Sequence, residues 1–198
     1  MRFTEFSDLD IGPFHDKKIT LSSGGRPIKF QIPRMYMPFG MSSFADTNRW
    51  NVDFSLKGYD EEGNYVKRFY DFIRGLEDKI VRHVHSHSVE IFGKEMDVAD
   101  VQKMFLSNLK ETDGREPKFR VKVDTDASGT IKADVFDVDD NSITENLEVG
   151  LYSKKTGVAL VELSSVYFMN KQIGLVWRLV QLKVYEPQRL KGFQFLTS

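Results

Sequence analysis

The sequence predicts a mainly β protein with an α-helical insert, a small β-barrel closed around its helices, on three observations. Short apolar/polar alternating runs fill the C-terminal third, from Pro117 to Pro187, with lysine, arginine and aromatic side chains on strand faces instead of in loops. Two further alternating runs precede residue 58. Between these regions the apolar period changes from two to 3.6, so strands flank a helix. Strands rich in turns around a helical insert favour a small barrel over a parallel α/β sheet.

Residues 1–25 end in Ser22-Ser23-Gly24-Gly25 and are expected as a lead-in arm, either docked on the domain or mobile, with residues 26–198 forming the domain. Ile28, Phe30 and Ile32 alternate up to Pro33, which suits an edge or first strand. From Arg49 to Lys57, Trp50, Val52, Phe54 and Leu56 face one way and Arg49, Asn51, Asp53, Ser55 and Lys57 the other. After the turn Asp60-Glu61-Glu62-Gly63-Asn64, residues Phe69, Phe72, Ile73, Leu76, Ile80 and Val84 make the apolar stripe of a helix from about Lys67 to His85. A second helix is expected from Asp97, with Asp100 as an imperfect capping box, to about Leu109.

Lys118-Phe119-Arg120-Val121-Lys122-Val123 then places three positive charges on one face. A turn at Ser128-Gly129 leads to Ile131–Phe136, and the two runs read as a hairpin with a basic wet face. Val158–Phe168 and Leu175–Glu186 form two longer strands joined by Asn170-Lys171-Gln172. In the last of these, Trp177 and Leu179 share one parity, and Leu182 and Val184 the other. That flip predicts a bulge near Val180-Gln181, or burial on both faces.

The 198 residues suit one domain with a real core, and sixteen phenylalanines are many. Without cysteine there is no disulfide framework, thiolate metal site or cysteine nucleophile. The N-terminus has no apolar signal-like region and no run approaches the roughly 20 residues of a membrane span, so a soluble intracellular protein with no membrane partner is expected. With 28 basic against 29 acidic residues, any nucleic-acid binding depends on local clustering of charge.

Several motifs compete for a functional reading. His83 and His87 lie four apart on one helix face, as zinc-binding histidines often do, but no HExxH pattern follows and a solvated helix end accounts for them. Asp124-Thr125-Asp126-Ala127-Ser128-Gly129 opens like a calcium loop, yet Val135 stands where the bidentate glutamate belongs, and a hairpin turn explains the same letters. Asp137, Asp139, Asp140, Glu145 and Glu148 would suit a two-metal nuclease only if they converged; a solvated acidic loop is the plainer reading. No nucleophile–base spacing, phosphate-cradling glycine loop or GxSxG is present, so no enzyme, cofactor or metal is expected.

The remaining set is basic and aromatic: Arg49, Trp50, Lys57, Lys118, Arg120, Lys122, Lys132, Phe136, Tyr167, Phe168, Lys171, Trp177, Arg178 and Lys183. Single-strand binding needs cations along the phosphates and flat rings under the bases, each stack contributing roughly 1–3 kcal/mol. Alternate lysines also protect surface strands from edge pairing, and Trp177 fits either groove or core.

Short motifs also carry a family resemblance. Arg49–Leu56 resembles the first barrel strand of the T-seven-like phage single-stranded-DNA-binding proteins, followed as there by a long helix. Phe119-Arg120-Val121-Lys122 is similar to that family's F-K-F-K strand, and Ile131–Asp137 to its strand ending in V-D. Gly157–Tyr167 resembles its glycine-led strand, and Gly174–Leu179 with Gln181–Val184 its closing strand. Lys191-Gly192-Phe193-Gln194-Phe195 suits the form found in nucleocytoplasmic large DNA viruses.

Over residues 28–196 the resemblance implies an OB-fold, a five-stranded antiparallel barrel capped by a helix. It implies a protein that coats single-stranded DNA without strong sequence preference during viral replication, recombination or repair, in a host cytoplasmic factory or the nucleus. Replication proteins and a homodimer are the further partners expected. The chain stops at Leu196-Thr197-Ser198 without the family's acidic tail, so tail-mediated recruitment is not expected. A viral structural or protein-interaction β-barrel is the alternative.

Overall fold

The computed structural model describes residues 1–44, 47 and 49–187. Lys191–Phe195 lie outside the described residues. The strands are β1 (Asp10–His15), β2 (Lys18–Ser22), β3 (Ile28–Gln31), β4 (Met35–Met37), β5 (Met41–Ser43), β6 (Trp50–Ser55), β7 (Phe105–Leu106), β8 (Leu109–Thr112), β9 (Arg115–Val123), β10 (Asp134–Phe136), β11 (Lys155–Met169) and β12 (Gln172–Tyr185). The helices are α1 (Tyr65–Ser86), α2 (Ser88–Phe92) and α3 (Val98–Met104).

The mainly β expectation with a helical insert holds, but the five-stranded barrel does not. All twelve strands join one open sheet, ordered β1-β2-β11-β12-β9-β6-β5 along its main path, with short strands pairing alongside. The expected arm is part of this sheet. Ile19 and Leu21 alternate into the core, β2 pairs with β11 at Ser165–Tyr167, and Phe3 is buried against α1. Apolar anchors on both sides of the Gly24-Gly25 turn give those residues a packed position.

The spine is the β11–β12 hairpin. Asn170 and Lys171 both take positive φ, 51° and 61°, which matches the twist of a two-residue hairpin turn. The register shifts twice: Leu160 pairs Gln181 but Val161 pairs Leu179, leaving Val180 as the extra residue of β12, and Leu163 pairs Trp177 but Ser165 pairs Val176, leaving Ser164 as the extra residue of β11. The bulge inferred from the parity flip is therefore present. It keeps Trp177, Leu179, Leu182 and Val184 all on the core side.

Helix α1 is close to its predicted span. The Asn64 side chain accepts from Val66 N at 2.8 Å and starts it. Phe69, Ile73, Leu76, Ile80 and Val84 are buried beneath the sheet, each contributing roughly 1.5–3 kcal/mol of apolar burial. The many phenylalanines meet here: Phe69 lies 5.2 Å from both Phe3 and Phe119, and Phe119 and Phe30 contact Trp177 at 5.4 and 5.5 Å. Helix α3 ends at Met104, five residues before the expected stop. Phe105 and Leu106 pair with Ile173 and Gly174 of β12, so the backbone must leave the helix there.

The expected hairpin of Lys118–Val123 with Ile131–Phe136 is reduced to one bridge, Thr125 to Ile131. β10 instead runs parallel to β12, Val135 opposite Leu182. Buried Ile131, Ala133 and Val135 are apolar at alternate positions and suit either partner; the parallel pairing covers the half of β12 beyond the bulge.

Candidate nucleic-acid interface

Cross-strand partners share a face of a sheet, and the register across β5, β6, β9 and β12 builds one polar surface. Its first row is Ser42, Asn51, Lys122 and Arg178. The second pairs Asp53 with Arg120, and the third holds Ser55, Lys118 and Lys110. Thus Lys118, Arg120, Lys122 and Arg178, four of the residues expected from sequence, converge on it. The interior residues Val52, Phe54, Phe119, Val121 and Trp177 hold these strands from behind.

Carboxylates are built into this surface. Asp53, its side chain only 3% exposed, receives both Nε and Nη2 of Arg120 at 2.7 and 2.8 Å. This fork-on-carboxylate bond raises the Arg120 pKa, although partial burial opposes it. Asp124 bridges Lys122, at 2.6 Å, and Arg178. Burial pushes the Asp124 carboxyl up, but the bonds from Lys122 and Arg178 outweigh burial and hold it below its ordinary value. Lys110, half-buried, is lowered by burial and then by the Arg120 charge.

Lys118 makes no ion pair among the described residues; its Nζ sits 5.5 Å from the centre of the Phe39 ring. Phe39 is 52% exposed, and the turn that carries it is closely packed on residues 150–153. Gly40 has φ of +62°, and a Cβ there would lie 2.2 Å from Leu151 O and 2.5 Å from Ser153 N. Met41 N donates to Leu151 O and Gly150 N to Met41 O, each at 2.8 Å. The ring therefore offers a flat apolar face to water beside the Lys118 cation, carried by a turn bonded at both Met41 N and Met41 O. The sequence reading missed Phe39 because it followed strand alternation, whereas the signal was Pro38-Phe39-Gly40, an aromatic fixed in a turn.

Behind the face, Glu77 of α1 accepts from Ser107 Oγ at 2.7 Å and Asn108 N at 2.9 Å. Asn108 in turn accepts from Arg120 N at 2.9 Å and donates through Nδ2 to Arg120 O at 3.2 Å. The helix is thereby tied to the strand that carries the cations. Burial raises the Glu77 pKa, with the Ser107 and Asn108 bonds opposing.

The other expected residues are placed elsewhere. Trp177, 1% exposed, is core, and no base can reach its ring. Trp50 is half-buried on the core-facing side at the start of β6, opposite Val123. Arg49 and Lys57 are exposed just outside the two ends of β6, and Lys132 is exposed beside Asp124, whose carbonyl its backbone N–H reaches at 2.9 Å. Phe168 packs edge-on to Phe14 at 5.1 Å, so its ring is committed to the hairpin tip. Tyr167 lies over Gly174, where a Cβ would come within 2.5 Å of its hydroxyl, and burial raises its pKa. Lys171 is exposed at the hairpin turn. Phe136 and Lys183 face each other across β10 and β12, beyond the bulge.

The metal-like motifs have other occupations. His83 and His87 stack at 4.1 Å, with His87 Nδ1 against His83 O at 2.9 Å. Asp126 Oδ1 accepts from Ser128 N and Thr130 N, and Asp137 Oδ1 from Asp139 N and Asn141 N, the bonding of capped turns. Among the described residues no three His, Asp or Glu side chains are grouped to hold a metal ion. No helix among them is long and apolar enough to cross a membrane.

Over residues 61–194 the chain matches the model of the Family of unknown function (DUF5871), and it belongs to that family. No curated protein matches the sequence. Among solved structures, the chain is similar to gp2.5, a single-stranded DNA binding protein encoded by bacteriophage T7. The identity is 14%, over 85% of this chain and 91% of that one, with a TM-score of 0.49. It is similar also to the single-stranded DNA-binding protein from bacteriophage Enc34 in complex with ssDNA, at 10% identity over 94% and 100% of the two chains, TM-score 0.48. A C-terminal truncation of the Enc34 protein gives 10% identity over 92% and 97%, TM-score 0.49.

Proposed function

We propose that this member of the family binds single-stranded DNA on the β6–β9–β12 face. The observation that carries the reading is the row of outward cations on β9, continued by Arg178 across the strand boundary and flanked at Lys118 by the exposed Phe39. Lys118, Lys122 and Arg178 track phosphates, Phe39 takes an unstacked base, and Arg120, held by Asp53, keeps the two strands in register as it lends its charge. Arg49, Lys57 and Lys132 extend the path at its margins. Single-stranded-DNA binding is also what the T7 and Enc34 proteins are named for; in this chain it rests on the face alone.

Because Asp53 and Asp124 already occupy cations, the face has few charges to spend on phosphates. A stiff duplex meets only that reduced charge, whereas an unpaired strand adds stacking, so the surface favours single strands. From the motif resemblance, the setting we infer is replication, recombination or repair of a large DNA virus. Replication proteins and a second copy of the chain are the further partners in that setting.

The test is anisotropy of a labelled oligo-dT titrated with protein at several salt concentrations. With three to four phosphates neutralised, log K should fall against log salt with a slope of about −2 to −3. No binding at low salt, or binding indifferent to salt, removes the reading.

A further inference from the structure

Beyond the Val180 bulge, β12 changes character. Its outward residues there build a groove of about 420 Å3 between β10, β11 and β12, lined chiefly by Phe136, Val158, Leu160, Gln181, Lys183 and Tyr185. Register sets the arrangement: Val158 and Leu160 lie opposite Lys183 and Gln181, and Phe136 opposite Lys183 on the other side. The result is an apolar floor, an aromatic wall and two polar side chains at the centre. Lys183 is held by Asp140, and the Gln181 amide nitrogen contacts Asp134 at 3.3 Å, leaving its carbonyl oxygen free of partners among the described residues.

A second wall is assembled across three strands. Tyr36 of β4 and Tyr185 of β12 are both paired with Thr156 of β11. Arg34 sits over the Tyr185 ring, Cζ 3.8 Å from its centre, and its Nε donates to Thr156 Oγ1 at 3.0 Å. The tyrosine is therefore backed by a fixed cation, which limits its rotation. Concave, mostly apolar, with a few placed polar groups and a volume near the lower end of small-ligand sites of ~300–1,000 Å3, the groove has the size and chemistry for one nucleobase with its sugar.

We infer that this groove is a nucleobase subsite, stacking a base between Phe136 and Tyr185 and reading its edge with Gln181. The inference rests on the single-strand reading above. Because the bulge keeps Arg178, Gln181, Lys183 and Tyr185 on the outward side, the groove lies about 15 Å along β12 from the cationic face, at ~3.3 Å per residue. One strand can then lay its phosphates on the first surface and a base in the second.

Photo-cross-linking tests it on the full chain, with an oligo-dT carrying one 5-iodouracil and, separately, with 5-iodo-dUMP. The expected result is adducts mapped by mass spectrometry to Phe136 or Tyr185. Adducts with the free nucleotide mean the groove recognises the base by itself, and adducts with the oligonucleotide alone mean the strand delivers it; both support the subsite. In parallel, the Phe136→Ala/Tyr185→Ala variant, its fold checked by thermal melting, should bind oligo-dT about tenfold more weakly with an unchanged salt slope. Adducts confined to other residues, or oligo-dT binding by a folded variant equal to the unaltered chain, overturn the subsite while leaving the single-strand reading standing. Failure of the unaltered chain to bind oligo-dT removes both.

Discussion

β9 and β11 alternate equally strictly, yet they present opposite chemistries to the outside. β9 shows Lys118, Arg120 and Lys122, whereas β11 shows Val158, Leu160 and Glu162 at equivalent outward positions. Over Pro117–Val123 and Gly157–Leu163 both bury their other parity. Alternation therefore decides which side faces the core and leaves the outer side free to become a charged plain or an apolar groove. The neighbours then finish the surface: carboxylates of β6 and of the β9–β10 turn for the first, aromatics of β4, β10 and β12 for the second.

The largest expected effect separates structure from binding on the charged side. Arg120→Ala leaves the Asp53 carboxylate buried without its partner and should cost roughly 2–3 kcal/mol of stability in urea unfolding. The exposed part of the guanidinium keeps the loss below that of a fully buried pair. Arg120→Lys should fall between, because an ammonium cannot bond both carboxylate oxygens in the fork geometry. If Arg120→Ala unfolds like the unaltered chain, Asp53 is not dependent on it and the face is less fixed than described.

Next in size, Lys118→Ala/Lys122→Ala should weaken oligo-dT binding by roughly tenfold at low salt and make the salt slope shallower by about 1.4, near 0.7 per lost phosphate contact. Stability should hardly move. An unchanged slope would shift the phosphate path away from β9, and with it the contrast between the two surfaces.

Asp124→Asn acts in the opposite direction. Releasing Lys122 and Arg178 from a competing carboxylate should tighten oligo-dT binding about fivefold, near 1 kcal/mol, and raise duplex binding by more. A weaker variant would mean that Asp124 places the two cations instead of competing for them.

The smallest effect lies behind the face. The Glu77 carboxyl is raised from 4.5 by burial, so it binds its proton more tightly folded than unfolded. Stability should then fall as pH rises from about 4.5 through the raised value, and level off above it. Glu77→Gln keeps an acceptor for Ser107 and Asn108 and removes that slope, gaining less than about 1 kcal/mol over the unaltered chain at pH 7.5 and nothing at acid pH. Unfolding curves at three pH values decide it; parallel pH profiles would assign the slope to other groups.

How far letters carry follows from the range of the interaction that fixes each element. Ile28–Gln31, Trp50–Ser55, the β11–β12 pair and α1 were legible because their periods are local, and even the Val180 bulge could be read from Trp177/Leu179 against Leu182/Val184. The partner of β10 could not, since Ile131–Phe136 alternates identically whether it pairs with β9 or β12. For the first 25 residues the Gly24-Gly25 break left a docked arm and a mobile one both open, because the docking of Phe3, Ile19 and Leu21 is a tertiary event. For the face, alternation named its cations. It could not show that Asp53, 67 residues from Arg120 in the chain, would neutralise one of them. Nor could it separate Trp177 in the core from Phe39 in water.

The extra residue in β12 sets an unusual tolerance rule for this strand. Substitution at Val180 changes one side chain, and loss of that single residue would close the bulge and leave plain alternation, with Trp177, Leu179, Leu182 and Val184 still sharing the inner face and Arg178, Gln181, Lys183 and Tyr185 the outer one. Elsewhere in a strand a one-residue deletion exchanges inside for outside; at Val180 it is the mildest edit, because the position holds a spare peptide unit that no partner on β11 counts.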